Sequence, residues 1–140
     1  MQGNSLRDKK IFVTGANGFV GSALVEQLAS IKNYQVVAPV RRAGADLAAG
    51  VVPVLVGADY LISGELPLTG VDVVVHCAAR VHVMSETTSD PLSEFRKINV
   101  EGTLRLAEQA ALAGVKRFIF ISSVKVNGEL TTLGKPFTAD

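Results

Sequence analysis

The residues with the clearest chemical use are three glycines at every third position, Gly15, Gly18 and Gly21. They follow a short apolar run at residues 11–13 and open an amphipathic run at residues 22–31. A strand, a glycine turn and a helix start in this order present free backbone amides and the positive end of a helix dipole. The sequence therefore predicts a site at this turn that can bind a pyrophosphate.

Each glycine has a separate steric task in such a site. Gly15 allows the tight turn, Gly18 lets a diphosphate approach the backbone, and Gly21 lets the helix pack closely on the strand. The spacing G-x-x-G-x-x-G is one residue longer at its front than the common dinucleotide fingerprint. Taken alone, it also fits a plain glycine-rich loop between a strand and a helix.

Charged side chains follow the second and third predicted strands. Arg41 and Arg42 end the second strand, where a guanidinium suits the 2′-phosphate of NADP and an acidic residue suits the 2′-hydroxyl of NAD. The pair therefore favours NADP over NAD, although two solvated loop arginines give the same pattern. Asp59 follows the third strand, where it either accepts the exocyclic amine of adenine or belongs to a turn.

Polar side chains also occur at the fourth and fifth strands and between them. His76 and Cys77 are predicted to be core and strand-end residues, and no zinc-ligand spacing surrounds them. Asn99 lies inside a long predicted helix, where it needs a polar partner. It either holds the backbone of a loop at the active site or makes a purely structural bond. Ser123 ends the fifth strand, where its hydroxyl either binds a substrate oxygen or forms a turn.

The elements that must position these residues alternate between strand and helix patterns. Strands are predicted at residues 11–13, 35–40, 51–56, 71–77 and 117–122, and helices at 19–31 and 91–113. Pro39 is expected to make the second strand short or irregular, because proline cannot donate to a ladder. A short helix is expected within residues 43–50, and a loop with one helical turn within residues 57–70.

This alternation predicts an α/β fold with a doubly wound parallel sheet and helices on both faces, a three-layer α/β/α arrangement. Ligands of such sheets bind beyond the carboxyl ends of the strands. The loops that carry the chemically useful residues follow those ends. We therefore expect them to converge on one crevice.

Composition limits the class of protein. The chain has 140 residues, of which 48% are hydrophobic and 19% charged, which predicts one globular domain over residues 1–140. The net charge of +1 gives no indication of a nucleic-acid or anionic-membrane partner. No apolar run reaches the roughly 18–20 residues that span a bilayer. The single cysteine, Cys77, fits a reducing compartment, so we expect a cytoplasmic protein.

Four sequence blocks occur in the order and spacing of a known enzyme family. They cover residues 13–21, 72–79, 99–103 and 120–128. With these blocks the chain closely resembles the extended short-chain dehydrogenase/reductase superfamily, in the nucleotide-sugar epimerase/dehydratase branch that includes UDP-glucose 4-epimerase-like enzymes. The resemblance implies an NAD(P)-binding Rossmann domain, truncated after about strand five. The implied activity is that of an epimerase or 4-ketoreductase that transfers a hydride at C4 of a UDP-sugar.

The resemblance also implies roles for individual residues. The implied cofactor-binding residues are Gly15, Asn17, Gly18, Phe19, Val20, Gly21, Arg41, Arg42, Asp59, Ala78, Ala79 and Asn99. Ser123 matches the catalytic Ser/Thr of the family by its offset from Gly128, and would bind the sugar oxygen that takes part in hydride transfer. The implied partners are a UDP-sugar substrate and, for the full-length enzyme, a second copy in a homodimer.

One catalytic element of the family is missing from the sequence. The family uses Tyr-x-x-x-Lys, whereas Tyr34 and Tyr60 are followed four residues later by Ala38 and Gly64. Family spacing places the tyrosine beyond Asp140. We therefore expect this chain to be the N-terminal part of a longer enzyme and to be inactive alone. The alternative is a non-catalytic NADP(H)-binding module that acts in redox sensing or in an interaction.

Overall fold

The computed structural model of the protein describes residues 8–81 and 89–138. Within these residues, parallel strands form one sheet in the order β3-β2-β1-β4-β5. The strands are β1 (Lys9–Thr14), β2 (Tyr34–Val40), β3 (Val51–Leu55), β4 (Val73–His76) and β5 (Arg117–Phe120). This topology confirms the predicted doubly wound α/β fold. The strand order reverses between β1 and β4, which is where such sheets bind their ligands.

Helices connect the strands across both faces of the sheet. Helix α1 (Phe19–Ala29) follows β1, whereas α2 (Pro91–Arg96) and α3 (Gly102–Leu112) precede β5. A π-helical turn over Lys97–Glu101 joins α2 to α3, so the long helix predicted there contains a local widening. Asp90 caps α2, since its Oδ1 accepts from the backbone nitrogen of Ser93 at 3.0 Å.

The two faces of the sheet carry separate hydrophobic clusters. Along β1, Phe12 joins the cluster that contains Leu106 of α3, whereas Ile11 and Val13 join the cluster that contains Val25 of α1. This alternation is the period of two expected for a strand that is covered on both faces. The burial pattern therefore confirms the three-layer α/β/α arrangement.

The expectation that Pro39 shortens β2 is wrong. Strand β2 continues to Val40, and Pro39 pairs in register with Val54. Successive residues of a strand direct their N–H and C=O groups toward one neighbouring strand and then the other. The backbone oxygen of Val40 accepts from the backbone nitrogen of Val56, so Val40 faces β3. The missing N–H of Pro39 therefore faces β1, where the register with β2 has already ended at Val37. The ladder between β1 and β2 therefore stops at the Phe12–Val37 pair although both strands continue, so β2 keeps its length and its irregularity is confined to the pairing with β1.

Other predicted boundaries also change. Residues 43–50 form turns and irregular backbone instead of the predicted short helix. Strands β4 and β5 are shorter than predicted, although single backbone hydrogen bonds from Asp72, Cys77 and Ile121 continue just beyond their ends. The loop after β3 does contain the expected helical turn, in which the carbonyl oxygen of Asp59 accepts from the backbone nitrogens of Ile62 and Ser63.

Asp72 connects neighbouring strands at their amino ends, which lie at the opposite end of the sheet from the glycine turn. Its side chain is buried, and its Oδ2 accepts from the backbone nitrogen of Lys10 at 3.0 Å. Its Oδ1 lies 3.5 Å from Nζ of Lys116. Its backbone oxygen accepts from the nitrogens of Lys116 and Arg117. One residue therefore connects the starts of β1, β4 and β5.

We expect Asp72→Ala to lower the free energy of unfolding by about 2 kcal/mol, because the half-buried amide of Lys10 would lose its acceptor. Urea denaturation measures this loss. Lys116→Ala is the matched control, since its side chain is 77% exposed and its ion pair should contribute less than about 1 kcal/mol. Equal losses for the two variants would contradict this account of Asp72.

Candidate functional site

A cleft with a volume of about 630 Å³ lies beyond the carboxyl ends of the strands. Its walls come from the turn after β1, the first turn of α1, the end of β2, the turn after β3 and the residues that follow β4. Ile98 of the π-helical turn completes the lining. The segments after β1, β2, β3 and β4 therefore converge on one crevice as the sequence predicted, whereas the loop after β5, which was expected there too, is not part of the lining.

Most of the predicted site residues line this cleft. They are Gly15, Asn17, Gly18, Phe19, Val20, Gly21, Arg41, Asp59, Ala78 and Ala79. Arg42, Asn99 and Ser123 lie outside the lining. The geometry thus places a large part of the predicted cofactor site in one cavity, while the binding roles of these residues stay predictions.

The glycine turn is packed too closely for side chains at two positions. Gly15 has φ = +70°, and a Cβ there would lie 2.7 Å from the backbone nitrogen of Ala78. A Cβ on Gly21 would lie 2.0 Å from the oxygen of Gly15. The predicted tight turn at Gly15 is confirmed, and the close packing at Gly21 is with the turn itself. A Cβ on Gly18 would lie 3.1 Å from the same oxygen, which is far less restrictive.

The first turn of α1 offers backbone donors to the cleft. Gly18 is the N-cap residue and supplies no side chain, and the backbone nitrogen of Ser22 donates to the Gly18 oxygen at 2.9 Å. The amides of Phe19, Val20 and Gly21 precede that first intrahelical bond. They lie in the lining of the cleft at the positive end of the helix dipole. This end of the cleft suits an anionic group.

The β2–β3 loop is tied to the glycine turn. Nδ2 of Asn17 donates to the backbone oxygen of Asp46 at 2.8 Å, so this amide holds the loop. Arg41 lines the cleft, whereas Arg42 is exposed outside it. Burial raises the pKa of Tyr60 to about 12, and the nearby Arg41 charge opposes that rise. Of the two arginines that the sequence offered for a 2′-phosphate, Arg41 lines the cleft and Arg42 does not, and the binding role of Arg41 stays a prediction.

Asn99 lies outside the lining of the cleft and forms hydrogen bonds to a residue that lines it. Its Oδ1 accepts from the backbone nitrogen of Arg80 at 2.7 Å, and its Nδ2 donates to the backbone oxygen of the same residue at 2.8 Å. Arg80 lines the cleft, and its guanidinium lies 5.4 Å from the ring centroid of Phe95. The structure therefore shows that Asn99 binds the backbone of a loop that lines the cleft, and an active-site role of this contact stays a prediction.

Ser123 begins the turn that follows β5. Its Oγ accepts from the backbone nitrogen of Lys125 at 3.2 Å and caps a 3₁₀ turn over Val124–Asn127. The serine is exposed and lies outside the lining of the cleft. The turn-forming role is thus observed, and the catalytic role stays a prediction.

His76 and Cys77 have the burial expected of core and strand-end residues. His76 is buried, and this burial lowers the pKa of its imidazole to about 4. Burial also raises the pKa of the Cys77 thiol. No group of three or more His, Cys, Asp or Glu that could hold a metal ion occurs in the part of the chain that the structure describes. In the same residue ranges no helix has the length and apolar character needed to cross a membrane.

Comparison with known proteins decides the family. Residues 11–140 match the profile described as the NAD dependent epimerase/dehydratase family. The chain belongs to this family. This result confirms the resemblance drawn from the four sequence blocks.

Individual members of the family support the assignment. The chain is 45% identical over 141 residues to UDP-glucose 4-epimerase of Vibrio cholerae, an alignment that covers 99% of this chain and 42% of that protein. A UDP-galactose 4-epimerase structure superposes with a TM-score of 0.68 at 29% identity, covering 92% of this chain and 44% of the other. MoeE5 in complex with UDP-glucuronic acid and NAD gives a TM-score of 0.66 at 31% identity, covering 87% and 39%. The chain thus spans less than half the length of these relatives.

Within this family domain, sequence reasoning missed several residues of the cleft wall. Tyr60, Leu61 and Ile62 line it directly after Asp59. A simple signal could have found them, because each follows a strand end that already carried a predicted site residue. Ile98 carries no such signal, since it reaches the cleft only through the packing of the π-helical turn.

Proposed function

We propose that the chain is the NAD(P)-binding domain of a nucleotide-sugar epimerase or 4-ketoreductase that transfers a hydride at C4 of a UDP-sugar. The observation that carries this proposal is that the glycine turn and the first turn of α1 form part of the wall of the cleft. The UDP-glucose 4-epimerase relative and the complex of MoeE5 with UDP-glucuronic acid and NAD support the cofactor and substrate classes.

The residues present fit a dinucleotide. The cavity of about 630 Å³ is within the usual range of small-molecule sites. The free amides of the first turn of α1 would bind the diphosphate, and the absence of a Cβ at Gly18 leaves room for it. Asp59 would accept the adenine amine, and the small side chains of Ala78 and Ala79 would leave space for the ribose and nicotinamide. The bound nicotinamide would supply the hydride acceptor and donor.

This chain's remaining contribution would be to orient the sugar. Ser123 would donate a hydrogen bond to the sugar oxygen at C4, which is compatible with the bond from the Lys125 amide, because that bond uses only a lone pair of Oγ. The acid/base tyrosine of the family has no counterpart among Tyr34 and Tyr60. We therefore expect dinucleotide binding without turnover.

Calorimetric titration of the chain with NADH and NADPH tests the proposal. Saturable heat with at least one of them, and no interconversion of UDP-glucose and UDP-galactose by the chain alone, are the expected results. Absence of binding by a folded sample would refute the proposal. The alternative is a non-catalytic NADP(H)-binding module, which would also bind dinucleotide. A longer protein of this sequence that carries a Tyr-x-x-x-Lys pair and converts UDP-sugars would contradict that alternative. Homodimerisation and a cytoplasmic location stay predictions.

Arg41 should determine the preference between the two dinucleotides. Arg41→Asp should shift the ratio of NADPH to NADH affinity by about ten-fold toward NADH, because a charge-assisted bond to the 2′-phosphate is replaced by repulsion. Arg42→Asp makes the same change of charge outside the cleft and is the matched control. Equal ratios in both variants, measured by fluorescence titration, would contradict the assignment of Arg41.

A further inference from the structure

A buried hydrogen-bond network lies behind the cleft wall, and the proposed function leaves it unexplained. At its centre is His76, which ends β4 and is 1% exposed. Its Nδ1 lies 2.6 Å from Oγ1 of Thr14 at the end of β1. Its Nε2 lies 2.9 Å from Oγ1 of Thr103 in α3. One imidazole therefore connects the glycine-turn strand to the helix that follows the π-helical turn.

The partners of the ring determine its tautomer. The Thr103 hydroxyl donates to the backbone oxygen of Asn99 at 2.9 Å, because a carbonyl can only accept. The Thr103 oxygen must then accept from Nε2–H of His76. Burial keeps the ring neutral, so Nδ1 accepts from the Thr14 hydroxyl. The Thr14 oxygen in turn accepts from the backbone nitrogen of Ala78 at 3.2 Å.

Both ends of this network reach residues 78–80. One end is the Ala78 amide, which is bound through Thr14. The other is Asn99, whose backbone accepts from Thr103 and whose side-chain amide binds the backbone of Arg80 on both sides. Ala78 and Arg80 line the cleft. Hydrogen bonds thus hold the backbone of this wall at Ala78 and at Arg80, and His76 connects the two sets of hydrogen bonds.

The position of this wall matters because the glycine turn lies directly against it. A Cβ on Gly15 would stand 2.7 Å from the nitrogen of Ala78 and 2.8 Å from the carbonyl carbon of Cys77. The two backbones are therefore in close contact across the cleft floor. A small displacement of the wall would change the turn that presents its amides to the cleft.

We propose that His76 is a positioning residue: by bonding Thr14 and Thr103 at once, it holds the backbone of residues 78–80 in the geometry that binds the dinucleotide. The effect on affinity rests on the proposed function. The hydrogen bonds to the wall do not, and they can be tested without ligand. The two kinds of measurement therefore separate failure of this proposal from failure of the proposed function.

Thr103→Val is the decisive variant, because it is nearly isosteric, leaves the imidazole in place and removes both hydrogen bonds of the hydroxyl. In the ligand-free chain, ¹⁵N NMR should show a neutral His76 ring with its proton on Nε2. The Ala78 and Arg80 amides should shift and lose exchange protection in Thr103→Val, and recover in Thr103→Ser. A proton on Nδ1, or unchanged Ala78 and Arg80 amides in Thr103→Val, would overturn the proposal.

Affinity for NADH and NADPH provides the functional measurement. Thr103→Val should weaken binding by about ten-fold, whereas Thr103→Ser should stay within about two-fold of the parent chain. Leu68→Val is the control, because Leu68 is buried in the core away from the cleft lining and its loss should lower stability alone. Parent-like affinity of folded Thr103→Val, with a loss of stability equal to that of Leu68→Val, would overturn the positioning role. If the parent chain binds neither dinucleotide, the proposed function fails and the amide measurements alone decide the role of His76.

Discussion

Gly21→Ala is expected to lower the free energy of unfolding by about 3 kcal/mol and to weaken dinucleotide binding by at least about ten-fold. The added Cβ would lie 2.0 Å from the Gly15 oxygen and 2.7 Å from the Gly15 carbonyl carbon. Both neighbours are backbone atoms, so the overlap cannot be relieved by a side-chain rotation. The start of α1 would have to move away from the turn, and its free amides would move with it. Thermal or urea denaturation and calorimetric titration measure the two effects.

Two further glycine variants separate steric disruption from loss of the ligand site. Gly57→Ala is the control for the substitution itself, since no atom lies within 4 Å of its added Cβ and its φ is not in the left-handed region. Gly18→Ala has a contact of 3.1 Å and should keep most of the stability. Its methyl group would nevertheless stand in the path of the diphosphate and weaken binding. If Gly21→Ala is as stable as Gly57→Ala and binds dinucleotide as tightly, the close packing of Gly21 against the backbone of Gly15 is wrong.

Acidification is expected to destabilise the protein through His76 by about 3 kcal/mol between pH 6.5 and pH 4. Burial lowers the pKa of the folded-state imidazole from 6.5 to about 4, so in this interval the unfolded chain binds a proton that the native state excludes. This contribution to stability is complete above pH 6.5 and is lost as the pH falls to about 4. The rings of Phe118 and Phe120 contact the imidazole and maintain its apolar surroundings.

A comparison with His76→Gln isolates this effect. A glutamine amide retains one donor and one acceptor but does not titrate, while all carboxylates and His82 remain common to both proteins. Urea denaturation across the same pH interval should give a steeper loss of stability for the parent chain than for the variant. His76→Asn serves as a second non-titrating variant if the glutamine does not fold. Parallel pH dependences would contradict the buried neutral imidazole.

Much of the fold could be predicted because its signals are local. The glycine at position 15 requires a positive φ, and Asp90 followed by Pro91 predicts a helix start from the capping and steric preferences of adjacent residues. The pattern of β4, which is apolar almost without alternation, predicts a strand that is covered on both faces. The effect of Pro39 on the length of β2 was misjudged because proline removes a single donor, and only the sheet order determines which neighbour that donor would face.

The sequence by itself determined the parallel α/β architecture, the family and the glycine turn, since these depend on residues that are close along the chain. Only the tertiary structure decided which arginine lines the cleft, that the Asn17 amide binds Asp46, and that Asn99 holds Arg80. It also decided the partners of the His76 ring, one of which is Thr14, 62 positions away in the sequence. The physical reason is that such hydrogen bonds require the relative register of parallel strands and the path of a π-helical turn. No local preference of the residues involved encodes either of these.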